Sequence, residues 1–153
     1  MRRSLGRRCA IGIALALAAC GGTGPRPVVL GEDECNYCRM EVTDARFAAE
    51  AVTRTGRVHV FDSVACLASY ARGAEPGSVA ALWVTDSENP GTFVLAEQAG
   101  FLTGSTLRGP MGNAVAFGSP AAARAAQSRH GGAVADWASI VADSSGHASE
   151  AHG

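Results

Sequence analysis

The sequence predicts an α+β fold made of two ββαβ units packed together, and three observations predict it. Apolar residues alternate with polar ones at period two in short runs, helix start and stop residues punctuate the gaps, and the two halves follow the same order of runs. Laid over one another, the stretches from Val60 to Val84 and from Ala116 to Ala138 share a phenylalanine, a serine, a helix of like length and a closing tryptophan at near-equal spacing. Neither stretch is long enough to bury a stable core alone, so the two are expected to share an interface.

In the first unit Phe47, Ala49, Ala51 and Thr53 alternate with Ala48, Glu50, Val52 and Arg54, which predicts a strand. Thr55-Gly56 is a turn signal before a second strand, Arg57 to Phe61. Asp62 or Ser63 then offers a side-chain oxygen to the free amides of a first helical turn, Val64, Leu67, Tyr70 and Ala71 line one face, and Gly73 stops the helix. A third strand, Ala80 to Thr85, carries Trp83. The second unit is expected to use Thr92 to Ala96 and Asn113 to Phe117 as strands. Ser119-Pro120 then supplies the N-cap and first-turn proline of a helix that runs to about His130 and ends at Gly131-Gly132, before a strand holding Val134 and Trp137. The expected domain covers residues 35–142, divided into units at 35–88 and 89–142.

Residues 1–19 have the form of an export signal, with an arginine-rich start, a short apolar stretch and small residues ahead of Cys20. The ending Leu17-Ala18-Ala19-Cys20 resembles the bacterial lipobox, whose cysteine is acylated and becomes the new N-terminus; the expected location is periplasmic, with the lipid on Cys20 anchored in a bacterial membrane. Residues 20–34, rich in Gly and Pro and then acidic, read as a flexible tether, and 143–153 as a frayed tail with His147 and His152 as weak metal binders. Arg2, Arg3, Arg7 and Arg8 are four of the 13 basic residues and leave with the leader, whereas all 14 acidic residues lie beyond it. The mature part thus carries nine arginines against 14 acids, a net charge of −5, which argues against a nucleic-acid-binding face.

The chain has five cysteines, too few for a disulfide framework at this length, and they point to chemistry instead. Cys35-Asn36-Tyr37-Cys38-Arg39-Met40 puts three sulfurs within six residues. A thiolate with a neutral thioether suits Cu(I) better than hard cations; structural zinc would want four closed ligands, and no second C-x-x-C or spaced His pair appears. Met111, in Gly109-Pro110-Met111-Gly112, is the other methionine of the mature chain, and if the units are related its loop lies where one sulfur from each half can meet. Competing readings are a redox pair or a disulfide of Cys35 and Cys38, and Met111 as a buried apolar residue. Cys66 reads as a packed core thiol, His59 as a structural strand residue, and His130 as a cation at a helix C-terminus within reach of a metal. No paired carboxylates, Ser/His/Asp signature, phosphate-cradling loop or dinucleotide fingerprint is present, so an enzyme is not expected.

The lipobox, the C-x-x-C-x-M, Phe47-Ala48-Ala49-Glu50, Val60-Phe61-Asp62-Ser63, Trp83-Val84-Thr85-Asp86, Pro110-Met111-Gly112 and His130-Gly131-Gly132, in this order, resemble the NosL family of nitrous oxide reductase accessory lipoproteins. The resemblance runs from about residue 35 to 138. It implies a tandem ββαβ fold, also likened to an organomercurial lyase domain, and a Cu(I) chaperone supplying the copper centres of periplasmic nitrous oxide reductase. Handover through a membrane-anchored maturation complex with an ABC transporter is implied as well. Cys38 and Met40 match the family's Cys-x-Met ligand motif and Met111 its Pro-Met-Gly loop, while Arg39 stands where the family often has Gly. The expected site is therefore Cys38, Met40 and Met111 around one Cu(I), with Cys35 or His130 completing or relaying it. Two other classes remain open on the residues alone: a periplasmic thiol-disulfide oxidoreductase using Cys35 and Cys38, and a lipid-anchored binding module without metal.

Overall fold

The computed structural model describes residues 22–144; the leader, Cys20 and the tail beyond Ser144, with His147 and His152, lie outside the described residues. The period-two run of the first half folds as β1 (Ala49–Thr53) and pairs antiparallel with β2 (Val58–Phe61) across the Thr55-Gly56 turn, with Ala49 opposite Phe61. Helix α1 (Val64–Gly73) starts at Ser63, whose Oγ accepts the Cys66 amide proton at 3.2 Å. Strand β3 (Val79–Thr85) returns along the other side of β1, giving the order β2-β1-β3. The second half repeats this plan: β5 (Gly100–Thr103) lies between β6 (Val115–Phe117) and β7 (Ala133–Ala135), both antiparallel to it, with α2 (Pro120–His130) between β6 and β7 in the chain. Two ββαβ units with the same strand order stand in tandem. Ser119 caps α2 by accepting from Ala122, and Gly131 ends it at φ 66°.

Three elements differ from expectation, each for a physical reason. The strand at Thr92 to Ala96 is real as β4 (Phe93–Leu95), but it pairs with β3 and extends the first sheet, with Phe93 opposite Thr85. The second unit opens instead with β5, which shows no polar–apolar alternation because both of its faces are buried. Phe101 packs into the core shared with α1 and β1, and Leu102 into the core under α2. Gly100 fits there for want of a side chain: a Cβ would stand 2.6 Å from the Pro120 Cα and the Ser119 carbonyl. The closing strand stops at Ala135, since the Asp136 carboxylate accepts the Ser139 amide and starts a third helix, α3 (Trp137–Asp143). Trp137 is thus a helix residue, its ring 5.9 Å from that of Phe101, and is not the counterpart of Trp83. Helix α3 packs on α1 and buries Ile140.

The third difference concerns the segment expected as a flexible tether. From Thr23 onward it lies across the outer face of the first sheet: the Thr23 carbonyl accepts the Trp83 indole proton, and the Arg26 amide donates to Glu50 Oε2, both at 2.9 Å. Val28 packs with the buried Val42, Ala48 and Val60. These side chains point away from α1, so this strap is what removes them from water. Arg26 closes on the Asp33 carboxylate at 2.6 Å, and Asp33 also accepts the Val29 amide, which turns the chain toward the cysteines. Among the described residues, no helix is long and apolar enough to cross a membrane.

Candidate metal centre

After the turn the chain folds back on itself as a small hairpin, with Glu34 bridged to Glu41 and the Cys35 amide donating to the Met40 carbonyl at 2.7 Å. Its tip is a tight turn in which the Arg39 amide reaches the Cys35 carbonyl at 3.0 Å. Arg39 takes φ 67°, the left-handed conformation that glycine adopts freely and L side chains resist, and among the described residues it is the non-glycine that does so. The turn that a Cys-Gly-Met sequence would make is therefore retained with arginine. The Asn36 amide ties the hairpin to the first sheet through the Val60 carbonyl, at 2.8 Å. Val60 is two residues before Asp62, so this bond brings Cys35 and Cys38 to the junction of β2 and α1.

Four ligand atoms converge there. The sulfurs of Cys35, Cys38 and Cys66 and a carboxylate oxygen of Asp62 lie within 4.8 Å of one another. Cys38 is half-buried and donates its S–H to Asp62 Oδ2 at 3.4 Å; Cys35, Cys66 and Asp62 are buried. The other Asp62 oxygen, Oδ1, is buried with no hydrogen-bond donor among the described residues. The thiols are not equivalent. A hydrogen bond from the Cys66 thiol, helped by the amides of Cys38, Asp62 and Tyr37, pulls the Cys35 pKa down to about 6. Donating that bond, together with burial, pushes Cys66 up. Burial first, and then the neighbouring Cys35 and Asp62 charges, push Cys38 up to about 11. Of the three thiols, Cys35 is the one whose surroundings favour the thiolate.

Met40 follows at the hairpin's exit with 51% of its surface exposed, and Met111 is 38% exposed, so neither is the core filler that methionine usually is. The Met111 loop reaches the same helical turn from the second unit: a Cβ on Gly112 would sit 3.3 Å from that of Ala65, the residue before Cys66. The Pro110-Met111-Gly112 loop of the second unit thus packs against the first turn of α1. His130 is not in the cluster; it ends α2 beside Arg46, Phe47 and Glu88. His59 is half-buried against the Tyr70 ring, as a structural residue.

Two cluster members escaped the sequence reading. Asp62 was a candidate N-cap, yet Ser63 takes that role and leaves the Asp62 carboxylate free to face the cysteines. Cys66 is buried as expected of a core thiol, but its neighbours include the other two sulfurs. The signal, had it been weighed, was Asp-Ser-x-x-Cys at a strand-to-helix junction, which places the carboxylate before the cap and the thiol in the first turn.

Such a donor set is soft on three corners and hard on one. Thiolates and thioethers favour Cu(I), and partial exposure at Cys38 and Met40 leaves room for a ligand from another molecule.

Compared with known proteins, the NosL family model matches residues 28–145. The crystal structure of the copper chaperone NosL from Shewanella denitrificans is similar with a TM-score of 0.65 at 25% sequence identity, over 75% of this chain and 93% of that one. The solution NMR structure of the apo-NosL protein from Achromobacter cycloclastes is similar at 27% identity with a TM-score of 0.44, over 59% of this chain and 82% of that one. No curated protein sequence matches the chain.

Proposed function

Since the chain belongs to the NosL family, whose model covers residues 28–145, we propose that it is a Cu(I) chaperone and not an enzyme. The Cys38 thiolate, Met40 and Met111 bind one Cu(I), and Cys35 completes the site. The observation that carries this reading is the meeting of three cysteine sulfurs within 4.8 Å beside the exposed Met40. Neutral thioethers need no deprotonation and hold Cu(I) without adding charge, so the site stays attractive to copper but releases it to a competing soft ligand. An incoming ligand attaches on the exposed side before Cys38 lets go, and the ion is never free in water. Copper is cargo here, and the protein's task is to hold and present it.

The finer reading follows from the family resemblance. The cargo is delivered for assembly of the copper centres of nitrous oxide reductase, through a membrane-anchored maturation complex with an ABC transporter. A lipid on Cys20 would keep the protein at the periplasmic face of a bacterial membrane. The redox alternative finds less support. The attacking thiol of disulfide exchange must be reachable as well as lowered in pKa, whereas the lowered thiol of this pair, Cys35, is fully buried and the more exposed one, Cys38, is raised. Anaerobic titration against a Cu(I) chelator tests the proposal: about one Cu(I) per chain is expected, and Cys38→Ser should abolish high-affinity binding. Undiminished affinity in Cys38→Ser would overturn it.

A further inference from the structure

Among the large apolar side chains left exposed, Tyr37 and Met40 belong to the cysteine hairpin and Met111 to the loop of the second unit. Val29 and Leu30, 46% and 47% exposed, belong to neither. They sit on the turn that ends the strap, where the Glu32 and Asp33 amides close on the Val29 carbonyl, while their neighbour Val28 packs inward. Upstream, Pro25, Pro27, Trp83 and Phe93 line an open groove of about 430 Å³ between the strap and the outer face of the first sheet. An apolar path thus follows the strap from Thr23 to Leu30, and Arg26, its one cation, is closed on Asp33.

The start of the strap decides what covers this path. Thr23 is held by the Trp83 indole, and Cys20 stands three residues before it. Three residues reach at most about 11 Å, little more than one headgroup layer, which is about 5–7 Å thick. A lipid on Cys20 therefore keeps the outer face of the sheet within a few ångströms of the bilayer. The inner face is covered by α1, and seating that face on the membrane would lift Thr23 by at least a helix diameter, about 10 Å, beyond the remaining reach.

We propose that the strap is a membrane-docking surface: its outer side lies along the lipid, and Val29 and Leu30 enter the interface beside the anchor. This rests on the lipid-anchor reading above and not on copper. Docking removes from water the apolar area that the described chain leaves open. The contact is intramolecular once the acyl chains are inserted, so a patch too small to hold a free protein suffices. Because Gly31 and Asp33 pair with Val42, the hairpin is built on the docked turn. The metal centre then stands at the membrane surface, within reach of partners held in the same bilayer.

Fluorescence quenching by brominated lipid tests this on full-length protein purified from bacterial membranes, after its intact mass has read the acyl chains on Cys20. Leu30→Trp puts a reporter on the turn, and Arg72→Trp puts one at the end of α1; both positions are exposed, and the emission of Trp83 and Trp137 is subtracted as wild type. The vesicles are phosphatidylcholine brominated near the headgroup end of its acyl chains. Leu30→Trp should lose about half of its added emission, as expected for a side chain at the headgroup–acyl boundary, and Arg72→Trp should lose none. Acylated protein with Leu30→Trp unquenched, or with both reporters quenched alike, would overturn the docking and leave the anchor standing. A mass without acyl chains would overturn the anchor, and the docking with it.

Discussion

The Cys38 thiol donates to the Asp62 carboxylate at 3.4 Å, and this bond crosses from the hairpin to the junction between β2 and α1. It joins a ligand predicted from a local motif to an acid that lies 24 residues along the chain. With its second oxygen unpartnered and buried, Asp62 is placed to orient the sulfur or to bind metal itself. Asp62→Ala should therefore lower Cu(I) affinity about tenfold or more while leaving the far-UV circular dichroism unchanged, the usual size of effect for a group that orients a ligand. Chelator competition is the measurement, and wild-type affinity would assign Asp62 to the fold alone.

Met40 and Met111 are both exposed, so replacing their sulfur should spare the core. Met40→Leu and Met111→Leu should each weaken Cu(I) binding with the melting temperature and thiol–disulfide exchange rates unchanged. A disulfide enzyme or a metal-free binding module would not register either substitution in the copper assay.

Arg39 holds a left-handed backbone conformation in the hairpin tip. Such a conformation costs an L residue roughly 1–2 kcal/mol, part of which glycine regains and part of which it loses to the greater freedom of the unfolded chain. Arg39→Gly should thus be neutral or up to about 1 kcal/mol more stable in urea unfolding. Arg39→Val, with a branched Cβ, should be less stable than wild type and hold copper less well, because the same turn spaces Cys38 from Met40.

Glu50 is fully buried beneath the strap, with one oxygen accepting from Arg26 and the other unpartnered, and burial pushes its carboxyl up to about 7 from an ordinary 4.5. The folded protein favours the protonated form, so the stabilisation is complete below pH 4.5 and is lost as pH rises through about 7. The loss from this group is about 3 kcal/mol at most. Denaturant unfolding at a series of pH values should show the decline, and Glu50→Gln should flatten it. An unchanged slope in the variant would place the titration elsewhere.

Gly100 touches the start of α2 so closely that a methyl group would overlap the Pro120 Cα and the Ser119 carbonyl, both backbone. Gly100→Ala should destabilise the protein by about 3 kcal/mol, in the range of overpacked cores, and calorimetry would show it as a fall in melting temperature. A neutral result would mean that α2 can shift away from β5.

Local rules were enough for the helix starts at Ser63 and Ser119, for the paired strands around Thr55-Gly56, and for the sulfur-rich hairpin. Each depends on residues a few positions apart, whose hydrogen bonds and periodicity are written along the chain. Strand β5 escaped them because burial on both faces erases alternation, and β4 was assigned to the wrong sheet because alternation says nothing about which neighbour a strand will choose. Residues 23–34 looked like a tether by composition, yet they pack, because the outer face of the sheet carries side chains that only a crossing segment can cover. The site divides along the same line. Residue chemistry and spacing singled out Cys35 and Cys38, with Met40 and Met111 as candidate thioether ligands, whereas Asp62 and Cys66 joined the two cysteines only when the Asn36–Val60 hydrogen bond laid the hairpin against the end of β2. The chain therefore fixed the kind of metal it suits through its sulfur donors. Folding chose which sulfurs share a centre and which one faces out, because ligand geometry depends on distance through space and on burial, neither of which is set by order along the sequence.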